Sequence, residues 1–164
     1  MERMEEFTTK MSLPPVTQIG VVVKDMEQAI RYYSRTLGLG PFSPVTDLVP
    51  DKNWYRGESH PVHLRTSRAM WGAMEFELVQ PLGGKSVHGD FLETHGEGLH
   101  HLGIETSQYD EIVGMMDRAG FKPLQVVEIF LPKYNCWGKA TFFDTRSVGG
   151  IIIEVVCRPW LAKI

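Results

Sequence analysis

A weak internal repeat constrains the fold of this chain more than any other feature. One copy, QIGVVVKDMEQAIRYYSRTLGLGPF, begins at Gln18, and the other, HLGIETSQYDEIVGMMDRAGFKPL, begins at His101. Each copy reads as a short apolar strand, an amphipathic helix, a glycine at which the helix ends, and a new strand. Asp25 is expected to cap the first helix and Ser107 the second.

Matching strands also close the two copies. The first copy closes on GAMEFELVQP, which contains Glu77, and the second on VGGIIIEVVCRP, which contains Glu154. Each copy has room for two further strands between its helix and its closing strand. These strands fall near SPVTDLV and HPVHLRT in the first copy and near LQVVEIFL and KATFFDT in the second. The sequence therefore predicts an α+β fold in which a βαβββ unit is used twice.

Four segments follow from this repeat. A flexible N-terminal arm covers residues 1–15 and ends at two prolines, and the first module covers residues 16–82. Residues 83–97 form a linker with a short helix that starts at Ser86. The second module covers residues 98–160.

Composition and charge exclude several classes of function. The net charge of −3 provides no basic surface for nucleic acid. No apolar run is long enough to span a membrane, and the opening MERMEEFTTKMSLPP lacks the apolar core of a secretory signal. Cys136 and Cys157 are too few for a disulfide framework and lack metal-ligand spacing, which indicates reduced thiols in a cytoplasmic protein. The expected partner is a small molecule, with no nucleic acid and no membrane.

Four polar residues occupy equivalent strand positions in the two modules: Gln18, Glu77, His101 and Glu154. Taken singly, Glu77 reads as a solvent-facing strand residue, Gln18 as a surface amide and His101 as a structural histidine. Glu154 does not read as a surface residue, because a carboxylate within IIIEVV belongs to a strand that reads as buried on both faces. At equivalent positions, the four together indicate a metal site or an active site.

The histidine pair of GLHHLGIET raises the question of which ring serves this site. Successive side chains of an extended strand point to opposite faces, so His100 and His101 are not expected to share it. Only His101 matches Gln18 in the repeat. We therefore expect His100 to point away, and its replacement by alanine to change metal content little.

Three stretches of the chain resemble the vicinal oxygen chelate (glyoxalase/bleomycin resistance/dioxygenase) superfamily: TQIGVVVKDMEQAIRYYSRTLGL, PLGGKSVHGDFLETHGEGLHHLGIE and FFDTRSVGGIIIEVV. The stretch GEGLHHLGIE is most similar to methylmalonyl-CoA epimerase-like proteins. The resemblance implies that two paired modules form an open eight-stranded barrel around one divalent metal ion. It also implies Gln18, Glu77, His101 and Glu154 as the ligands, and a homodimer.

Two positions depart from the epimerase pattern. Epimerases of the family usually begin the first strand with His where this chain has Gln18, whereas glyoxalase I of the human type uses Gln, Glu, His and Glu in this order. The epimerases carry a glutamate base on the strand before the one that holds Glu77. The resemblance places His63 there, or His60 with a shifted loop alignment. The expected catalytic residues are Glu154 and His63.

Three oxygen ligands and one nitrogen ligand, without thiolate, suit Zn²⁺, Co²⁺, Ni²⁺ or Mn²⁺. An ion of this kind acts as a Lewis acid on a carbonyl oxygen while a nearby base moves the proton on the neighbouring carbon. This chemistry is that of an isomerase, an epimerase or a lyase.

A loop rich in aromatic and basic residues, VPDKNWYRGESHPVHLRTSRAMWG, lies in the first module. It reads either as a solvated loop with packing tryptophans or as a cleft wall for an anionic, partly apolar substrate. On the second interpretation Arg65, Arg68 and Trp71 bind substrate, and Trp137 of LPKYNCWG lies on the opposite wall.

The preferred function is a metal-dependent isomerase or lyase that abstracts a proton next to a carbonyl, for example in epimerising an acyl-CoA thioester such as methylmalonyl-CoA. The alternatives are a lactoylglutathione lyase of the glyoxalase I type and a metal-free binding or resistance protein on the same fold. An extradiol dioxygenase ranks lower, because its iron site needs two histidines and one carboxylate and only His101 is placed for it.

Overall fold

The two copies of the repeat fold into similar series of elements. The computed structural model describes residues 11–163, so residues 1–10 of the expected arm lie outside the described part. The first copy contains β1 (Gln18–Val22), α1 (Met26–Arg31) with a π-helical continuation (Tyr32–Thr36), β2 (Thr46–Leu48), β3 (Lys52–Tyr55), β4 (Glu58–Ser59), β5 (Val62–Trp71) and β6 (Met74–Gly84). The linker contains α2 (Val87–His95). The second copy contains β7 (Gly98–Glu105), α3 (Tyr109–Arg118), β8 (Pro123–Leu131), β9 (Cys136–Phe143) and β10 (Ile152–Cys157).

These strands form one mixed sheet in the order β2-β5-β6-β1-β7-β10-β9-β8-β3-β4. The opening strands of the two copies, β1 and β7, pair antiparallel near its middle. Each also pairs in parallel with the closing strand of its own copy, β6 or β10. The sheet curls strongly into a half-barrel, which confirms the predicted α+β fold.

The sheet has ten strands among the described residues, where eight were expected. The additional pair, β3 and β4, comes from the aromatic and basic loop of the first module, and β3 pairs with β8 of the second. Buried Asn53 accepts a hydrogen bond from Gln125 Nε2 at 2.6 Å, which fastens the hairpin to the other module. The pattern of one module alone does not reveal this pairing, because the partner strand lies about 70 residues further along the chain.

The helix ends mostly follow their local signals. The side chain of Asp25 accepts a hydrogen bond from the Gln28 backbone at the start of α1, and Ser86 does the same for Gly89 at the start of α2. The expectation that Ser107 caps α3 is wrong: Gln108 holds the N-cap position, without a side-chain cap. Within residues 11–163, no helix is both long enough and apolar enough to cross a membrane.

The helices α1 and α3 cover one face of the sheet and leave the other face open to a cavity. Met26 of α1 packs with Phe76 and Leu78 of β6. Met116 of α3 packs with Val155 of β10. Because side chains alternate along a strand, the neighbouring residues on β6 and β10 face the inside of the half-barrel.

Candidate metal centre

Side chains from four strands meet on the inner face of the sheet: Gln18 of β1, Glu77 of β6, His101 of β7 and Glu154 of β10. All four are buried, and His101 is fully so. The His101 Nε2 atom lies 3.2 Å from Glu154 Oε2, 3.6 Å from Glu77 Oε2 and 3.3 Å from Gln18 Oε1. The structure therefore brings together the four residues that the repeat singles out.

Two glycines leave room for this cluster. Across the central strand pair, Gly20 lies opposite His101 and Gly103 lies opposite Gln18. A Cβ on Gly20 would stand 1.9 Å from His101 Cε1, and one on Gly103 would stand 2.7 Å from Gln18 Oε1. Both glycines follow their module's ligand candidate by two positions, so the same packing arrangement occurs twice.

A hydrogen-bond chain fixes the orientation of the Gln18 amide. Its Nε2 donates to Glu75 Oε1 at 2.7 Å, and Arg158 Nη2 lies 3.0 Å from the same carboxylate oxygen. Arg158 is itself held by Glu105. Since the amide nitrogen is engaged by Glu75, the amide oxygen faces His101 and can act as a ligand.

The buried charges of the cluster perturb one another. Burial raises the pKa of Glu77, but the charge of Arg68 and the interactions with His101 outweigh it and hold that pKa at about 2. Burial lowers the pKa of His101, but Glu154 and then Glu77 outweigh it and raise that pKa to about 9. Arg68 Nη2 lies 2.5 Å from Glu77 Oε1. At neutral pH the cluster without metal therefore holds an ionised Glu77 between two cations.

The donor atoms suit one divalent cation. Ligand atoms that share an ion at about 2.1 Å stand roughly 3 to 3.4 Å apart, and the separations from His101 Nε2 are 3.2 to 3.6 Å. Glu154 Oε2 is buried and has no hydrogen-bond partner of good geometry among the described residues, although His101 Nε2 is close. A buried carboxylate oxygen needs a positive charge beside it, and protonated His101 supplies this charge when no metal is bound. Gln18, Glu77, His101 and Glu154 would hold the ion, as a nitrogen and oxygen ligand set.

The cluster borders a large cavity on the inner face of the half-barrel. The cavity has a volume of about 1040 Å³, and Glu77, Glu154 and Arg68 line it. Most of its wall is apolar and comes from both modules: Phe42, Leu48, Leu64, Val79, Val127, Ile129, Leu131, Phe142, Val156, Trp160 and Leu161. A ligand of this cavity would place an apolar body against these residues and a polar end against the charged cluster.

Several other residues singled out in the sequence do not reach the cavity. His63 lies 3.3 Å from Asp47 on the outer face of β5, because its neighbour Leu64 takes the inward position, so the expected role of His63 as catalytic base does not fit. His60 pairs with Glu58 and does not reach the cavity either.

Of the four expected substrate-binding residues, only Arg68 lines the cavity. Arg65 binds Asp47 on the outside of β5. Trp71 and Trp137 are exposed and pack at the surface, on Phe76 and Phe130 respectively, so the structure places Arg65, Trp71 and Trp137 outside the cavity wall.

The expectation that His100 points away from His101 is wrong. The pairing of β1 with β7 runs from Gly20–His101 to Val21–Leu99 and skips His100, which makes His100 the extra residue of a β-bulge. A bulge interrupts the alternation of side chains, so both imidazoles are buried side by side, with their Nδ1 atoms 2.9 Å apart.

The sequence interpretation also missed His88. This residue of α2 is buried and borders the cavity, its ring lies against His100 and His101, and its Nδ1 has no hydrogen-bond partner among the described residues. Burial lowers its pKa well below the ordinary value, so His88 is neutral. Its position in the first turn of the linker helix, directly after the Ser86 cap, was the available signal.

Comparison with known proteins agrees with this fold. Residues 17–130 match the family model described as the glyoxalase/bleomycin resistance protein/dioxygenase superfamily. An uncharacterized protein of Bacillus subtilis (strain 168), YqjC, is 27% identical over 142 residues, which cover 86% of this chain and 89% of that protein.

Solved structures show the same fold. A methylmalonyl-CoA epimerase from Mycobacterium tuberculosis superposes with a TM-score of 0.61 at 22% identity, covering 97% of this chain and 99% of that one. A hypothetical protein from Bacillus halodurans C-125 superposes with a TM-score of 0.64 at 19% identity, covering 88% and 94%. With the family model matched over most of its length, the chain belongs to the glyoxalase/bleomycin resistance protein/dioxygenase superfamily.

Proposed function

We propose that this protein is a divalent-metal-dependent isomerase or lyase that moves a proton on the carbon next to a carbonyl. One observation supports this more than any other: His101 Nε2, Glu77 Oε2, Glu154 Oε2 and Gln18 Oε1 converge at the wall of a cavity large enough for a small organic substrate. A bound Zn²⁺, Co²⁺, Ni²⁺ or Mn²⁺ would supply Lewis-acid stabilisation of an enolate oxygen.

The two glutamates of the cluster are equivalent in the repeat but not in their surroundings. Glu77 is paired with Arg68, which helps to hold its pKa at about 2 and makes it a weak base. Glu154 is paired with His101 and, among the described residues, with no arginine. Environments that separate two carboxylates in this way assign them different roles. Glu154 is therefore the base: a carboxylate oxygen takes the proton, and the C–H electron pair remains on the substrate as an enolate.

The cavity wall supports a substrate with an apolar body and one anionic or electron-rich oxygen. The apolar side chains contact the body, and Arg68 lies beside the cluster, where its guanidinium can face a carboxylate or a developing oxyanion. An acyl-CoA thioester such as methylmalonyl-CoA combines a carbonyl, an acidic neighbouring C–H and a carboxylate. A glutathione hemithioacetal, the substrate of a lactoylglutathione lyase, is the alternative within the same chemistry.

Deuterium exchange tests the chemistry across several substrate classes at once. The protein loaded with Zn²⁺, Co²⁺, Ni²⁺ or Mn²⁺ is incubated in D₂O with a panel of acyl-CoA thioesters and glutathione hemithioacetals, and mass spectrometry detects deuterium on the carbon next to the carbonyl. We expect exchange in one substrate class, its loss in Glu154→Gln, and its retention in His63→Gln, since His63 lies outside the cavity. Exchange that persists in Glu154→Gln would contradict the assigned base.

A metal-free binding protein is the second candidate, and one observation favours it. The positive charges of Arg68 and protonated His101 accompany the two buried carboxylates, so the cluster has internal charge compensation. Metal analysis separates the two candidates: the isomerase or lyase binds one divalent ion per chain after dialysis against a weak chelator. The binding protein retains none and shows no deuterium exchange with any added metal.

A further inference from the structure

His100 and His101 form a contact that strand alternation forbids. Their ring centroids lie 5.2 Å apart with the rings nearly perpendicular, and the closest atoms are the two Nδ1 nitrogens, 2.9 Å apart. The bulge in β7 produces this geometry, because it places two consecutive residues opposite one position of β1. A bulge beside a ligand candidate changes the directions in which the neighbouring side chains of the strand point.

The two nitrogens of the His101 ring have separate environments. Nε2 faces Gln18, Glu77 and Glu154, whereas Nδ1 lies 2.9 Å from Nδ1 of His100. A neutral imidazole carries one proton, and it can bind a metal through Nε2 only when that proton is on Nδ1. The group that accepts the Nδ1–H hydrogen bond therefore decides whether Nε2 presents a lone pair to the cluster.

The environment of His100 makes it the acceptor. Its ring is buried and is surrounded by the rings of His88, Phe91, His101 and Phe142. No carboxylate forms an ion pair with His100 among the described residues. Two nitrogens at 2.9 Å share one proton, so when His101 donates from Nδ1, His100 must offer a bare Nδ1.

We infer that His100 is a positioning residue that accepts a hydrogen bond from His101 Nδ1–H and thereby turns the bare Nε2 of His101 toward the metal centre. This role rests on the metal centre proposed above. Metal-bound histidines usually give their second nitrogen to a carboxylate, a backbone carbonyl or water. In this protein the buried imidazole of His100 accepts that hydrogen bond, and the β-bulge places it beside His101.

Matched variants distinguish an acceptor at this position from simple packing. His100→Phe keeps ring volume and removes the acceptor. His100→Asn restores an oxygen near the place of Nδ1, whereas His100→Gln carries its amide one bond further, near the place of Nε2. Phe91→Leu disturbs the packing around His100 and leaves the hydrogen bond, so it serves as the packing control.

The readout is the dissociation constant for Zn²⁺, measured by competition with a chromophoric chelator, alongside the thermal midpoint of each metal-free variant. We expect His100→Phe and His100→Gln to weaken Zn²⁺ binding roughly 10- to 100-fold. His100→Asn and Phe91→Leu should stay within a few-fold of the unsubstituted protein. In Zn²⁺-loaded protein, ¹⁵N chemical shifts of the His101 ring should report a proton on Nδ1.

Each contrary result has a distinct meaning. Unchanged Zn²⁺ affinity in His100→Phe would overturn the positioning role and leave the metal centre intact. Equal weakening in His100→Phe and His100→Asn at equal thermal midpoints would overturn it too, because ring shape rather than an acceptor would then matter. If the unsubstituted protein binds no Zn²⁺, Co²⁺, Ni²⁺ or Mn²⁺, the metal centre itself is refuted and the role of His100 falls with it.

Discussion

The imidazole of His101 lies directly over Gly20, in the space that a side chain at position 20 would occupy. A Cβ there would stand 1.9 Å from Cε1, 2.1 Å from Nε2 and 2.4 Å from Nδ1 of that ring. These distances are far below van der Waals contact, and the ring is fully buried among its neighbours. The position of the His101 ring therefore requires a residue without a side chain at position 20 of β1.

Gly20→Ala is expected to destabilise the protein and to impair metal binding together. The new methyl group must displace the His101 ring, and such overpacking typically costs about 1–3 kcal/mol. Chemical denaturation of the metal-free protein measures the first effect, and Zn²⁺ titration measures the second. Gly83→Ala on β6 is the matched control, because a Cβ at Gly83 meets no atom within 4 Å. A Gly20→Ala protein with unchanged stability and Zn²⁺ affinity would contradict this packing of His101 on Gly20.

Single ligand replacements should differ in their effect on bound metal. His101→Ala removes the nitrogen ligand and should abolish stoichiometric retention of the ion after dialysis against a mild chelator. Glu154→Gln removes one of two charge-compensating carboxylates and should leave a folded, inactive protein with weakened binding. His95→Ala, an exposed histidine of α2, is the control and should retain the full complement of metal. Elemental analysis of the dialysed proteins gives the answer, and retention of metal by His101→Ala would remove His101 from the ligand set.

Metal binding should release a proton at neutral pH. The pKa of His101 without metal is about 9, so its Nε2 carries a proton that the ion must displace, whereas Glu77 is already ionised at a pKa of about 2. We expect about one proton released per ion. We also expect an apparent affinity that rises roughly tenfold per pH unit toward pH 9. Calorimetric titration in buffers of different ionisation enthalpy measures the proton count. Release of no proton would contradict the protonated His101.

The raised pKa of His101 also makes the stability of the metal-free protein depend on pH. The folded state binds the His101 proton more tightly than the unfolded state, whose pKa is near 6.5. This contribution to stability is complete below pH 6.5 and is lost as the pH rises to about 9. His101→Ala should flatten the decline of the denaturation midpoint over this range.

The fold was predictable because the information lies in periodic patterns within each copy of the repeat. The repeat aligns Gln18 with His101 and Glu77 with Glu154 at equivalent strand positions, and the structure brings the four residues together. Burial of Glu154 was readable from its apolar neighbours alone.

What the sequence could not provide depends on pairing between distant strands. The bulge that unites His100 with His101 is a property of the β1–β7 register, not of the local sequence, which predicts that the two residues alternate. The same limit applies to Arg68 and His63 on β5. Side chains alternate along this strand, so Arg68 faces the cavity and His63 faces the outer surface, and a shift of one residue in the strand register would exchange the two faces.

Arg68 should oppose metal binding while it assists the substrate. Its guanidinium pairs with Glu77 and lies beside the proposed ion, so its positive charge raises the free energy of a divalent cation in the cluster. Arg68→Gln is therefore expected to tighten Zn²⁺ binding roughly tenfold and, in the same variant, to raise KM for an anionic substrate in the exchange assay. Arg65→Gln is the matched control, since Arg65 lies on the same strand but pairs with Asp47 on the outer face. Zn²⁺ affinities and KM values of the two variants, measured at equal ionic strength, test the prediction. Equal shifts in both variants would trace the effect to the net charge of the protein, and weaker Zn²⁺ binding in Arg68→Gln would show that Arg68 supports the position of Glu77 instead of competing with the ion.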